Sequence, residues 1–286
     1  FYKDVTHPFR VGYFCGQDMT EAHGKRTCAE MERIMVRVIM HGCNGKMGQV
    51  ISGLLANDTE AELAAGVDAR DDGHNPYPVF KSLAECTVAA DCIIDFSAAP
   101  AVDALLDYCE EKKDPCVLCT TGLSEEQLER VKKVSEKTAI LKSANMSLGI
   151  NLLMKLLKDA AKVLGTAGFD VEIVEKHHNQ KVDAPSGTAL ALADSVNEAL
   201  EEACTYNFDR SKDRKKREKN EIGIAAVRGG TIVGEHEVIF AGPDEVIEFK
   251  HTAYSKAVFG KGAVEAAKYL AGKPAGRYDM SNVIEG

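Results

Sequence analysis

Ile34-Met-Val-Arg-Val-Ile-Met40 runs without a break into His41-Gly42-Cys43-Asn44-Gly45-Lys46-Met47-Gly48. The first seven residues form a short, nearly continuous apolar run, as in a strand of a parallel sheet buried on both faces. After Gly48, residues Val50, Ile51, Leu54 and Leu55 recur at helical spacing. Strand, glycine-rich turn and helix form the context in which a dinucleotide pyrophosphate is bound. The spacing is G-x-x-G-x-x-G. Gly42 and Gly45 allow a tight turn and bring backbone N–H groups close to a phosphate. Gly48 lets the helix press against the sheet. A glycine turn alone is weak evidence, so the surrounding chain has to support it.

The next strand, residues 62–67, ends in Asp68, twenty positions after Gly48. An acidic residue at that separation can hydrogen-bond the adenosine ribose hydroxyls. It favours NADH, since a 2′-phosphate would be repelled, although Arg70 stands close enough to offer such a phosphate a partner. Further strands are expected at 90–97, 115–119 and 138–142, with helices around 82–85, at 101–112 and from Ser124. Ser124 is followed by Glu125 and Glu126, whose charges suit a helix N-terminus. Strand–helix alternation from 34 to 147 predicts one doubly wound, Rossmann-type domain. Thr120, Thr121 and Gly122 follow the fourth strand, where a short polar turn can touch the nicotinamide end of a cofactor or simply connect strand to helix.

The whole chain has 286 residues, enough for one large core or two modest ones, and a formal charge of −9. That charge argues against nucleic acid or an anionic membrane as the main partner. No apolar run is long enough to span a bilayer. Nine cysteines lack a disulfide-framework spacing and read as reduced thiols in a reducing, cytoplasmic setting. Cys116 and Cys119 have the spacing of a redox motif, but their apolar surroundings favour a buried strand. Residues 1–32 are polar and aperiodic and lack the apolar core of a signal peptide. They read as a disordered or non-native extension; an ordered arm packed on a neighbour is the alternative.

Beyond 150 the chain changes character. Residues 151–164 read as an amphipathic helix with Leu152, Leu153, Leu156, Leu157 and Ala160 on one side. Val171-Glu-Ile-Val174 alternates like a half-buried strand. It leads into Glu175-Lys-His-His-Asn-Gln-Lys-Val-Asp-Ala-Pro-Ser-Gly-Thr-Ala189, and then into a helix carrying Leu192, Ala193, Val196 and Leu200. Free N–H groups at that helix start, together with Lys181, suit an anionic ligand. His177 and His178 can donate a proton near neutral pH. Reduction of an acidic substrate leaves negative charge that a nearby acid should neutralise. Zinc is a poor reading, because neighbours on an extended chain point to opposite faces. Residues 211–219 are mostly basic and read as a solvated loop. From 221, strands at 222–227, 231–233, 235–240 and 245–250 are expected to form an antiparallel meander. Its open face or edge needs cover, which suggests an oligomer. A final helix spans 262–270.

The string from Glu175 to Ala189, with its His-His-x-x-Lys-x-Asp-Ala-Pro-Ser-Gly-Thr core, resembles the signature of the 4-hydroxy-tetrahydrodipicolinate (dihydrodipicolinate) reductase family. The turn from Gly42 to Gly48, Thr120-Thr-Gly122, Ala144-Asn-Met-Ser147 and Gly276-x-Tyr-Asp-Met280 are similar to other parts of that pattern, over residues 33–286. The resemblance implies NADH- or NADPH-dependent reduction of 4-hydroxy-tetrahydrodipicolinate, with loss of water, in lysine and diaminopimelate biosynthesis. It implies a nucleotide-binding domain over 33–147 and 257–286. A mixed α/β domain over 148–256 would bind the small dicarboxylate substrate and build a homotetramer. His177 and Lys181 become the proton-transfer residues. His178, Gly187 and Thr188 become the substrate-carboxylate residues. Gly42, Cys43, Asn44, Gly45, Lys46, Met47, Asp68, Cys119, Thr120, Thr121, Ala144, Asn145, Met146 and Ser147 become the cofactor lining, with no metal. Some members carry Glu-Arg at the ribose-reading positions. Asp68-Ala69 stands there instead, which weakens any strong preference for NADPH. A different two-domain nicotinamide dehydrogenase would share Gly42–Gly48 and Asp68 but has no reason to carry His177, His178 and Lys181. A non-catalytic NADH sensor leaves the polar loop unexplained.

Overall fold

The computed structural model describes residues 35–71, 73–212 and 214–286. The expected extension, 1–32, lies outside them. The first sheet takes β1 (Val36–His41), β2 (Ala61–Val67), β3 (Val79–Phe80), β4 (Cys92–Asp95), β5 (Cys116–Leu118) and β6 (Ala139–Leu141). Its helices are α1 (Lys46–Leu55), α2 (Val102–Lys112) and α3 (Glu125–Ser135). The second sheet follows α4 (Leu148–Leu164) and consists of β7 (Asp170–His177), β8 (Thr205–Asn207), β9 (Glu221–Arg228), β10 (Gly234–Ala241) and β11 (Val246–Ala253), with α5 (Gly187–Asn197) after β7. Then α6 (Ala257–Leu270), β12 (Gly276–Tyr278) and α7 (Met280–Glu285) complete the chain.

The first sheet has the order β12-β6-β5-β4-β1-β2-β3, and every pairing in it is parallel. Alternate side chains feed two cores. Val38, Met40, Ile94, Val117 and Leu141 meet Ile51, Leu55 and the small residues of α6 on one face. Ile39, Ile93, Leu118 and Ile140 meet Leu105, Leu106, Val131 and Val134 on the other. Burial on both faces explains the near-continuous apolar runs. Ser124 and Gln127 close a capping box at the start of α3. The chain returns through β12, so residues near the C-terminus share a sheet with β1. The close approach of α6 requires glycine: a Cβ on Gly262 would lie 1.6 Å from the Met146 carbonyl oxygen. The strand order reverses between β1 and β4, where His41 is the register partner of Asp95. Ligands bind at such a switch point, beyond the C-terminal strand ends.

The second sheet differs from the expected meander. Its order is β11-β10-β7-β9-β8. Only β10 and β11 form the antiparallel hairpin; β7 lies between β10 and β9, antiparallel to one and parallel to the other. Residues 231–233 are not a strand: the chain is still turning from Gly229 and Gly230 toward β10. Val171, Ile173, Glu175 and His177 of β7 share the buried face, where Leu153, Leu157, Leu192 and Val196 pack with Val171 and Ile173. Helix α4 begins at Leu148 rather than 151, because the Ser147 hydroxyl accepts the Ile150 N–H. Leu152 and Leu156, expected on its apolar side, are 49% and 46% exposed. The described residues of the basic run 211–219 are exposed, as expected, apart from Arg217. Arg217 donates to Glu172 at 3.0 Å, Asp170 at 2.8 Å and the Val171 carbonyl at 3.1 Å, pinning the run to β7.

Candidate active site

The second sheet positions the histidines through strand geometry. Residues two apart on a strand share a face, so Glu175 lies beside His177 at the end of β7. Glu175 is completely buried. One of its oxygens lies 2.6 Å from His177 Nδ1, and the Ser186 backbone N–H donates to the other at 2.9 Å. Parallel pairing of β7 with β9 puts Arg228 opposite His177. Its two terminal nitrogens donate one to each Glu175 oxygen, both at 2.7 Å. Burial alone would raise the Glu175 pKa. The bonds from Arg228, His177 and Ser186 outweigh it and hold the carboxyl below its usual range. An ionised carboxylate only accepts hydrogen bonds, so His177 donates through Nδ1 and leaves Nε2 for a ligand. Gly234 leaves space beside that atom: a Cβ there would stand 3.1 Å from Nε2.

Ser186 caps α5, its hydroxyl oxygen accepting the Ala189 N–H at 3.2 Å. The same hydroxyl lies 3.0 Å from Nε2 of His236, whose ring sits edge-on to His177 with centroids 5.1 Å apart. Burial pushes the His236 pKa down to about 4 and keeps the ring neutral. Lys181 Nζ lies 2.7 Å from Asp183 on the loop between β7 and α5. Gly187 is exposed and Thr188 half-buried at the start of α5, where backbone N–H groups point away from the helix. His178 is half-buried, and its ring makes no hydrogen bond among the described residues.

The expected cofactor residues lie at the switch point of the first sheet. Gly42 has φ +84°, and a Cβ on it would stand 2.7 Å from the Phe96 carbonyl oxygen. A Cβ on Gly48 would stand 2.3 Å from the Gly42 carbonyl oxygen. Both glycines therefore fill a cradle that closes with any side chain. Gly45 and Lys46 are exposed at the start of α1, which has no acid in its first turn. Asp68 accepts the Asn44 N–H at 3.1 Å, so the carboxylate expected to read the ribose faces the glycine turn. This arrangement fits a dinucleotide. Thr121 and Ala144 are exposed, Met47 and Cys119 half-buried, while Cys43, Thr120, Asn145, Met146 and Ser147 are buried. Cys43 and Met146 pack into the core, so they can reach a ligand only through their backbones. Asn145 Nδ2 donates to Thr188 Oγ1 at 2.9 Å, joining an expected cofactor residue to an expected substrate residue.

The family description "Dihydrodipicolinate reductase, N-terminus" matches residues 36–146, and "Dihydrodipicolinate reductase, C-terminus" matches residues 149–284. The chain belongs to the dihydrodipicolinate reductase family. It is 51% identical to the 4-hydroxy-tetrahydrodipicolinate reductase of Clostridium novyi (strain NT), over 88% of this chain and 99% of that protein. It is 52% identical to the enzyme of the same name from Caldanaerobacter subterraneus subsp. tengcongensis, again over 88% and 99%. The dipicolinate-bound dihydrodipicolinate reductase of Paenisporosarcina sp. TG-14 superposes with a TM-score of 0.73 at 27% identity, covering 87% of this chain and 99% of that one. A probable dehydrogenase from Thermotoga maritima, at 12% identity and TM-score 0.53, shares the fold. Membership separates this chain from the other dehydrogenases weighed on sequence. The reductase family uses NAD(P)H.

Among the described residues, no group of three or more His, Cys, Asp or Glu could hold a metal. No helix among them is long and apolar enough to cross a membrane. Cys116 and Cys119 are free thiols. Hydrogen bonding to Cys109 and burial push Cys116 up, and burial pushes Cys119 up, so neither thiol is activated. Sequence reading missed Glu175, Arg228, His236, His41 and Asp95. Glu175 was legible, since it precedes His177 by two on a strand. Arg228 was not, because its place depends on the β7–β9 pairing.

Proposed function

We infer that this chain is a 4-hydroxy-tetrahydrodipicolinate reductase, forming tetrahydrodipicolinate with loss of water in lysine and diaminopimelate biosynthesis. The observation that carries the reading of the site is the Asn145–Thr188 bond. It joins Asn145, beyond β6, to the first turn of α5, the helix that follows His177 and Lys181 in the chain. NAD(P)H, when bound, supplies two electrons and one hydrogen. The chain must supply the accompanying proton and hold a dicarboxylate. His177 offers Nε2, with its other nitrogen fixed on Glu175. Lys181 is a second donor, steered by Asp183. The N-terminus of α5 at Gly187 and Thr188, with His178, receives the carboxylates. The glycine turn from Gly42 to Met47 takes the pyrophosphate. Thr120 and Thr121, with the segment from Ala144 to Ser147, face the nicotinamide end. Asp68 favours NADH, with NADPH also accepted.

Residues 33–147 and 257–286 serve as the nucleotide domain, and 148–256 as the substrate and assembly domain. The sheet face away from α4 and α5 carries Val174, Val227, Ile239 and Val246 among charged residues. We assign it to a homotetramer in the cytoplasm. The test supplies aspartate semialdehyde, pyruvate and the condensing synthase and follows loss of reduced nicotinamide absorbance. Synthase-dependent oxidation is expected; a folded sample that shows none overturns the activity. Lys181→Ala should lower kcat by about 100-fold or more while leaving NADH affinity intact. Equal losses in both would make Lys181 structural.

A further inference from the structure

Asp95 ends β4 and is completely buried, yet no step of the proposed reaction uses it. Its carboxylate gathers groups from three strand ends. His41 Nδ1, at the end of β1, lies 2.8 Å from Oδ1. The Ser97 backbone N–H, just past β4, donates to the same oxygen at 3.2 Å. Thr120 Oγ1, two residues past β5, donates to Oδ2 at 2.6 Å. These three ends surround the switch point. His41 directly precedes Gly42, and the Phe96 carbonyl beside Ser97 lies against Gly42. Thr120 opens the exposed turn through Thr121 and Gly122, whose φ is +73°.

Beyond the Asp95 bond, Thr120 Oγ1 lies 3.4 Å from Ser97 Oγ, and Leu123, after the turn, packs against the core. Thr121 and Gly122 are exposed, and a Cβ on Gly122 would meet nothing within 4 Å. The buried hydroxyl of Thr120, 4% exposed, ties the exposed part of the turn to the sheet, with its shorter bond to Asp95. An ionised carboxylate can accept from several donors at once and cannot donate. It therefore fixes the rotamer of Thr120 and the ring of His41 together. A short O–H···O⁻ bond to a buried acceptor is among the stronger side-chain hydrogen bonds.

We propose that Asp95 is a positioning residue for the cofactor: through Thr120 it holds the 120–122 turn where the nicotinamide end lies. The proposal rests on the reading of this sheet edge as the dinucleotide site. The pyrophosphate cradle has its own support, because Gly42 N–H donates to the Val67 carbonyl at 2.8 Å and Gly45 N–H to the Gly42 carbonyl at 3.1 Å. Loss of Asp95 should then fall on one end of the cofactor.

The experiment measures binding, not turnover. Calorimetric titrations with NADH and with ADP-ribose, which lacks the nicotinamide, are run on the wild-type chain, Asp95→Asn and Thr120→Val. The expected result is an NADH Kd raised about 10-fold in both variants, against less than 2-fold for ADP-ribose, which corresponds to roughly 1.4 kcal/mol at the nicotinamide end. The double variant should lose no more than either single one, since Asp95 acts through Thr120. Equal losses for the two ligands in Asp95→Asn would make Asp95 a support of the whole domain and overturn the proposal. So would a Thr120→Val chain that binds NADH like wild type, a test that holds even if Asp95→Asn does not fold. A wild-type chain that binds neither ligand would instead remove the cofactor reading beneath it.

Discussion

Glu175 and Asp95 invite comparison. Each is a fully buried carboxylate near the C-terminal end of a strand, and each lies against the Nδ1 of a histidine, at 2.6 Å and 2.8 Å. Both are held below the usual carboxylate range by their donors, against the upward push of burial. They differ in counter-charge. Glu175 has a two-pronged Arg228, whereas among the described residues Asp95 pairs with His41 and otherwise takes the neutral donors Ser97 and Thr120. Arginine stays charged throughout the accessible pH range, so Glu175 stays ionised whatever proton His177 holds. The site at which we propose that a proton moves thus has a fixed electrostatic background. The first sheet asks its carboxylate only for geometry, and neutral donors suffice.

The comparison breaks most visibly if the counter-charge is removed. Arg228→Leu strands Glu175 without its cation, and breaking a buried pair from one side costs about 3–5 kcal/mol. His41→Ala removes one of three donors from Asp95 and should cost about 1–3 kcal/mol. Urea unfolding at neutral pH orders the two. If the His41 variant lost as much stability as the Arg228 variant, charge compensation would not be what distinguishes the sites.

The second test uses acid, where the signs separate the groups. Both carboxylates titrate lower when folded, so their stabilisation is present above the unfolded values of 4.5 and 3.8 and is lost as pH falls below them. His236 acts earlier. Its pKa falls from 6.5 to about 4 on folding, so the unfolded chain takes up a proton that the folded one refuses. Stability therefore falls as pH drops from 6.5 toward 4, by about 3 kcal/mol in all. The charged or titratable groups that act on its ring are His177, Glu175, His251 and Lys181. His236→Gln, which can still meet Ser186, should flatten the stability profile in that window and leave the steeper loss below it. An unchanged slope between pH 6.5 and 4.5 would assign it to another group.

The two regions were not equally legible in the sequence. The first sheet was, because strands buried on both faces write apolar runs and Gly42, Gly48 and Asp68 stand at fixed separations. Its short edge pieces, β3 and β12, were missed, since two or three residues carry no periodicity. In the second sheet β7, β9, β10 and β11 were found, but β8 was missed, a strand at 231–233 was expected that is not there, and the order was not legible. Alternation in 221–250 says which face is buried and nothing about which neighbour pairs with which. Inserting β7 between β9 and β10 is a tertiary fact, and the Glu175–Arg228 pair depends on it. The His177 and Lys181 candidates came from a contiguous string. The supporting carboxylates came from residues far apart in the chain, such as the 54 positions between His41 and Asp95.

The smallest effect concerns a third carboxylate, which is not buried and, among the described residues, has no cation in contact. Asp68 is only half-buried and accepts backbone N–H groups from Asn44 at 3.1 Å and Arg70 at 3.2 Å. Those bonds orient it toward the glycine turn, where its charge would meet an adenosine 2′-substituent. A 2′-hydroxyl can donate to it; a 2′-phosphate is repelled by it and has only the nearby Arg70 to compensate. Asp68→Ala removes both effects. The ratio of kcat/KM for NADH over NADPH should fall by about 5- to 30-fold, or roughly 1–2 kcal/mol. KM should carry most of it, since the change lies far from the reacting atoms. Thermal stability should hold, because no buried partner is stranded. An unchanged ratio in Asp68→Ala would mean that Arg70, rather than the carboxylate, reads the ribose, and Arg70→Ala would then be the variant that moves it.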